Sequence, residues 1–199
     1  MIMMKAAILL FGGAFALVSV TASAQTPMRI RGTITGLKGD VLSVKSRDGK
    51  DLKINLAPDV VVMAAKAVKL SDFKPGDYVG TTAIKNEKGV LVAREVHAIA
   101  RTVPEGHTPW ETEPGATMTN ANIASVVKSA GGNELTLEYK GGSQKILVPD
   151  GTAIVNFTPA DKSLLVPGAT IFTGARVAAD GKISTARVAV SKDGVKPPQ

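Results

Sequence analysis

The stretch Gly39-Asp40-Val41-Leu42-Ser43-Val44-Lys45-Ser46-Arg47-Asp48-Gly49-Lys50 reads as one short strand held between two glycine turns. Leu42 and Val44 share a face with Ser46, while Ser43 and Lys45 point the other way. This is the period of two that a half-buried strand requires. Gly39 and Gly49 supply the positive φ that tight hairpin turns demand. The pattern predicts an antiparallel meander with one apolar face and one wet face.

Working outward, comparable segments are predicted at Met28–Thr35, Asp51–Leu56, Val60–Met63, Asp77–Ile84 and Val90–Ile99. A second series follows at Asn122–Lys128, Glu134–Lys140, Gln144–Val148, Ala153–Asn156, Thr170–Val177 and Ile183–Val190. The landmarks of the two series align. Pro75-Gly76 precedes Pro167-Gly168 by 92 positions, Lys88-Gly89 precedes Asp180-Gly181 by 92, and Pro58-Asp59 precedes Pro149-Asp150 by 91. A recurrence of that length predicts a duplicated domain of about ninety residues rather than a solenoid of short repeats. Before each Pro-Gly lies a short turn segment, with Leu70 and Phe73 in the first series and Leu164 and Leu165 in the second. Each segment is suited to plugging the open end of a small barrel. Aromatic residues make up only 4% of the chain, whereas it carries 20 Gly and 11 Pro, so small and β-branched side chains must build the core. The expected fold is all-β, with two tandem small OB-like β-barrels.

The ends and the middle complete the expected division. Lys5, the apolar run Ala6–Val20 and the small residues Ala22 and Ala24 predict a cleavable secretory leader over 1–24, cut before Gln25. The run is shorter than the roughly 20 residues of a membrane crossing. A periplasmic location follows as an expectation. The first barrel is expected over 25–101, a proline-rich linker carrying Trp110 over 102–120, the second barrel over 121–193 and a flexible tail over 194–199. Trp110 is expected to dock on one or both barrels.

The residues Arg31-Gly32-Thr33-Ile34, the stretch from Gly39 to Lys50, and Leu70-Ser71-Asp72-Phe73-Lys74-Pro75-Gly76-Asp77 together resemble a family of exported bacterial OB-like domains of unknown function. The resemblance covers nearly the whole chain after the leader. Glu105-Gly106-His107-Thr108-Pro109-Trp110 and Thr117-Met118-Thr119-Asn120-Ala121 are similar to a proteobacterial two-domain subgroup, some of whose members are labelled "metal ABC transporter permease". A permease needs several membrane-spanning helices, which these residues do not offer. The resemblance implies the fold and export, and it brings no catalytic residue.

The supply of chemistry is thin. The net charge is +7 and falls to +6 once Lys5 leaves with the leader, but the basic residues are dispersed and the aromatic platform of a single-strand binder is missing. No nucleic-acid partner is therefore expected. With no cysteine, thiolate ligands, disulfides and a cysteine nucleophile are excluded. No G-x-S-x-G elbow or P-loop occurs, so no enzyme and no cofactor are expected. A soft-metal site of the Cu(I) type would have to draw on His107, Met118 and His97, with Met63 or Met28 and Trp110 nearby, because imidazole and thioether ligands favour that ion. Glu105, Glu111 and Glu113 read as solvated linker carboxylates, Phe73, Phe157 and Phe172 as core, and Thr81, Thr82, Lys85, Arg94 and Glu95 as a wet outer face. The expected function is a non-catalytic binding or envelope accessory protein that contacts an unknown protein or envelope component, with Trp110 as a contact. The alternatives are a Cu(I)-type metal chaperone and a structural bridge between envelope components.

Overall fold

The structure, a computed structural model, describes residues 25–198, and the leader expected at 1–24 lies outside the described residues. The described chain is all-β: β1 Thr26–Lys38, β2 Val41–Ser46, β3 Asp51–Ala67, β4 Tyr78–Lys85, β5 Leu91–Ala98, β6 Gly106–Pro109, β7 Ala116–Ser129, β8 Gly132–Tyr139, β9 Gly142–Val148, β10 Ala153–Ala160, β11 Thr170–Val177 and β12 Ile183–Val190. Two single-turn 3-10 segments, Leu70–Asp72 and Lys162–Leu164, precede β4 and β11. No helix among the described residues is long and apolar enough to cross a membrane.

The decisive stretch behaves as its pattern requires. Val41–Ser46 pairs with β1 on one side and β3 on the other, and Leu42 and Val44 are buried against the core. Gly39 has φ 57° and sits in the two-residue loop that joins Lys38 to its partner Val41. Gly32 meets a different demand. A Cβ there would lie 2.4 Å from the Lys45 carbonyl oxygen, so only glycine lets β1 cross β2 this closely.

The strands do not close where the halves of the sequence divide. A five-stranded barrel runs β12-β11-β1-β2-β3 and closes through a parallel β12–β3 ladder. Three of its strands come from the first half of the chain and two from the end of the second. Its core joins Ile30, Ile34, Leu42, Val44, Ile54 and Leu56 to Ile171, Val188 and Val190. The remaining strands of the first half, β4 and β5, belong to a second ring, β5-β4-β7-β8-β9, whose ends meet through two parallel pairs, Leu91 with Ile146 and Val92 with Leu147. A separate core fills it, from Val79, Ala83 and Val96 to Ile123, Leu135, Leu137 and Ile146. The expected contiguous barrels at 25–101 and 121–193 are thus corrected. Each set takes its first three strands from one half and its closing pair from the other.

The Pro-Gly turns fasten this exchange. The Gly76 N–H donates to the Ile123 carbonyl at 2.8 Å, and the Gly168 N–H donates to the Ile34 carbonyl at 2.9 Å, so each turn bonds the opposite half's first strand. The plugs follow their turns. Leu164 and Leu165 pack on the barrel core, whereas Leu70 and Phe73 pack on the core of the second ring. Strand β10 is the seam, antiparallel to β3 and parallel to β5.

Two more expectations change. In the segment read as a linker, Gly106–Pro109 forms β6 and pairs with Thr117–Asn120 of β7, so 102–120 is largely a hairpin. Pro109 stands on an edge strand, where its missing N–H costs no ladder bond, and Pro114-Gly115 makes a turn, with Gly115 at φ 77°. The tail is also anchored. Lys192 and Val195 form a bridge, and Pro197 and Pro198 are buried.

Candidate functional site

The β6–β7 turn is closed by the Trp110 N–H, which donates to the Ala116 carbonyl at 2.8 Å. It carries the chain's single tryptophan over to the barrel. Arg29 and Arg31 are two apart on β1 and share its outward face, since Ile30 between them points into the core. The Arg29 guanidinium lies 4.3 Å from the Trp110 ring centroid and that of Arg31 lies 5.6 Å away. Arg31 also stands 5.0 Å from the ring of Phe172, its direct neighbour across the β1–β11 ladder. Phe172 therefore faces outward as a stacking partner instead of filling the core. Planar guanidinium suits this stack between two rings, as ammonium would not.

Glu111 answers both arginines. Its Oε1 accepts from Arg31 Nη1 at 2.9 Å, and its Oε2 lies 3.6 Å from Arg29 Nη1. Burial pushes this carboxyl up, but a backbone N–H and the two guanidinium groups outweigh it and hold Glu111 below the usual glutamate value. Farther along the turn, Glu113 takes Arg94 of β5 at 2.9 Å. The turn is thus tied to both strand sets. The Arg29–Glu111 and Arg94–Glu113 pairs are half exposed, and each contributes at most about 1 kcal/mol. Arg31 itself is nine-tenths buried, with its side chain 10% exposed, and its Nε and Nη2 reach no acceptor. Buried donors left without acceptors cost about 1–3 kcal/mol each, which makes this guanidinium the least satisfied charged group of the turn. Residues Pro109–Thr117 line an open depression of about 590 Å³, with Trp110, Glu111 and Glu113 on its wall.

The residues expected to share a metal are distributed otherwise. His107 pairs with Thr119, and its Nδ1 lies 2.8 Å from Thr119 Oγ1. Burial and Lys85 push this imidazole below its ordinary value. Met118 is the next residue along β7, so it points to the opposite face, where it is 5% exposed and neighbours Thr82. His97 lies on the same face as Thr82 but two strands from Met118. Its Nδ1 is 3.6 Å from Glu95 Oε1 without a hydrogen bond, and burial pushes its pKa down to about 4. Its Nε2 would lie 2.6 Å from a Cβ at position 80, so the imidazole lies directly over Gly80. The structure therefore does not bring His107, Met118 and His97 together. Among the described residues no three His, Cys, Asp or Glu side chains are grouped to hold a metal ion.

The outer face read as wet is partly covered. Thr81, Thr82 and Glu95 are at most 6% exposed, and the Thr82 hydroxyl donates to Glu95 at 3.1 Å, whereas Lys85 and Arg94 remain exposed. Sequence reasoning missed Arg29 and Arg31. The available signal was an Arg-x-Arg pair on the polar face of β1 in a chain with one tryptophan and a carboxylate right after it. What was hidden was the register that sets Phe172 opposite Arg31. No protein-family model matches the chain, and neither a curated protein nor a solved structure matches it.

Proposed function

We propose that the chain is an exported, non-catalytic binding protein of the cell envelope that takes its ligand at the Trp110 turn. In this reading it is a duplicated small OB-like barrel whose halves exchange their closing strands. The observation that carries the proposal is the open depression of about 590 Å³ beside a tryptophan held on two arginines. An aromatic wall with a few charged groups at fixed positions suits a ligand that offers one flat or apolar face and some polar groups. Export rests on the leader pattern of residues 1–24. Absence of catalysis is favoured by the setting of the imidazoles. The hydroxyl that meets His107 belongs to Thr119, which is fully buried, where no substrate carbonyl reaches it.

The test is a thermal-shift screen of residues 25–199 against purified envelope components: muropeptides, lipopolysaccharide and anionic phospholipid vesicles. At least one is expected to raise Tm by 2 °C or more, at about 100 times its Kd, and Trp110→Ala is expected to abolish the rise. A rise that persists unchanged in Trp110→Ala would place the ligand elsewhere. No rise with any component would count against the binding reading.

A further inference from the structure

We propose that Arg29 and Arg31, stacked on Trp110, form a site for an oxyanion, a carboxylate or a phosphate, and that Glu111 occupies it as a built-in competitor. The inference rests on reading the Trp110 turn as a ligand site and names the ligand's chemistry.

The charges are unequal, with two guanidinium groups facing one carboxylate. That carboxylate is divided between them, Oε1 on Arg31 Nη1 and Oε2 toward Arg29, so it meets each arginine with a single oxygen. Nε and Nη2 of Arg31, the side edge of the guanidinium, reach no acceptor. Both atoms are buried, so their charge is left unanswered by the surrounding protein, and the donors that open to an oxyanion are the ones Glu111 now holds, Nη1 of Arg31 and Nη1 of Arg29. Trp110 and Phe172 lie against the same guanidinium and hold its plane, so Nη1 is oriented before a ligand arrives.

Access runs through the competitor. The Glu111 side chain is 49% exposed, lies on a turn and not in a ladder, and forms part of the wall of the open depression. It can swing outward without breaking a strand hydrogen bond. Arg29, 53% exposed, is available for first contact. The single tryptophan touches both arginines, so its fluorescence reports directly on occupancy.

The experiment titrates residues 25–199 with inorganic phosphate and, separately, with glucuronate, at constant ionic strength, following Trp110 fluorescence. Glu111→Gln keeps the turn's shape and removes the competing charge. It is expected to bind one of the two anions at least 10-fold more tightly than the unaltered chain. Glu113→Gln raises the net charge equally without vacating the site and is expected to bind no more tightly than the unaltered chain. Adding Arg31→Gln to Glu111→Gln is expected to abolish saturation. Tighter phosphate binding points to phosphorylated envelope lipids or polymers, and tighter glucuronate binding to acidic glycans. The proposal is overturned if Glu111→Gln, with unchanged circular dichroism, binds neither anion more tightly, or if Glu113→Gln gains as much. A Tm rise that still depends on Trp110 would, in that case, retain the site and remove only the oxyanion.

Discussion

Replacing Ile171 by alanine is expected to destabilise the protein by about 2–5 kcal/mol, the cost of a cavity in a well-packed core. Ile171 is 2% exposed on β11, opposite Gly32 of β1 and Val190 of β12. Although it belongs to the last quarter of the chain, its side chain packs with Ile30, Ile34 and Leu42 near the start. Opening that core removes the closure of β1–β3 and loosens the parallel β12–β3 ladder. Urea unfolding followed by far-UV circular dichroism and by Trp110 fluorescence should show one coincident transition, moved to lower urea in Ile171→Ala. Both probes should shift, because Trp110 rests on Arg29 of β1, within the affected barrel. Two separated transitions with only one displaced would show that the strand sets unfold independently.

The second large effect is on acid stability. His97 is pushed from an ordinary value of 6.5 to about 4 by burial. Its folded form therefore refuses a proton that the unfolded chain accepts. The unfolded state binds more protons between those two values, so stability is complete above pH 6.5 and falls as the pH drops toward 4. The gap corresponds to about 3 kcal/mol, of which roughly two-thirds is lost by pH 5. His107, also pushed down, adds to the same slope. Comparing unfolding free energies at pH 7 and pH 5 measures this loss, to which Glu111, held below the usual glutamate value, adds little. His97→Gln is expected to remove most of the difference. An equal difference in His97→Gln would assign the acid sensitivity to other groups.

The local grammar of this fold is written in its residues, and its long-range pairing is not. Leu42 and Val44 alternate with Ser43 and Lys45, and that alternation is sufficient for a half-buried strand between turns. The plugs Leu70–Phe73 and Leu164–Leu165 are likewise legible as apolar residues ahead of Pro-Gly. Nothing in the alternation says which ring a closing strand joins. The β4–β5 and β11–β12 pairs carry similar period-two patterns, and either could cover either core. The choice is made by three-dimensional contacts such as the crossed bonds from Gly76 to Ile123 and from Gly168 to Ile34. Proline misled in a specific way. Pro104, Pro109 and Pro114 look like a stiff connector, but Pro109 ends an edge strand and Pro114 opens a glycine turn, both places where proline is tolerated.

The candidate site was half legible for the same reason. Trp110 stands out as the single tryptophan and does dock, on Arg29. Its arginine partners lie some eighty positions away and are brought to it by the hairpin, which composition and spacing cannot place. The expected metal residues illustrate the converse. His107 and Met118 are eleven apart in sequence and lie on adjacent paired strands, yet the register sets His107 opposite Thr119, and the alternation turns Met118 to the other face.

The most direct test of the exchanged strands is to insert a site-specific protease sequence between Val103 and Pro104, in the exposed segment before β6, and to cleave the folded protein there. Each fragment then holds three strands of one set and the closing pair of the other. The account predicts that the cleaved protein elutes as one complex of unchanged mass by native size-exclusion with light scattering, and that its pieces separate only in denaturant. Two pieces that part in native buffer and each retain β-sheet circular dichroism would contradict it.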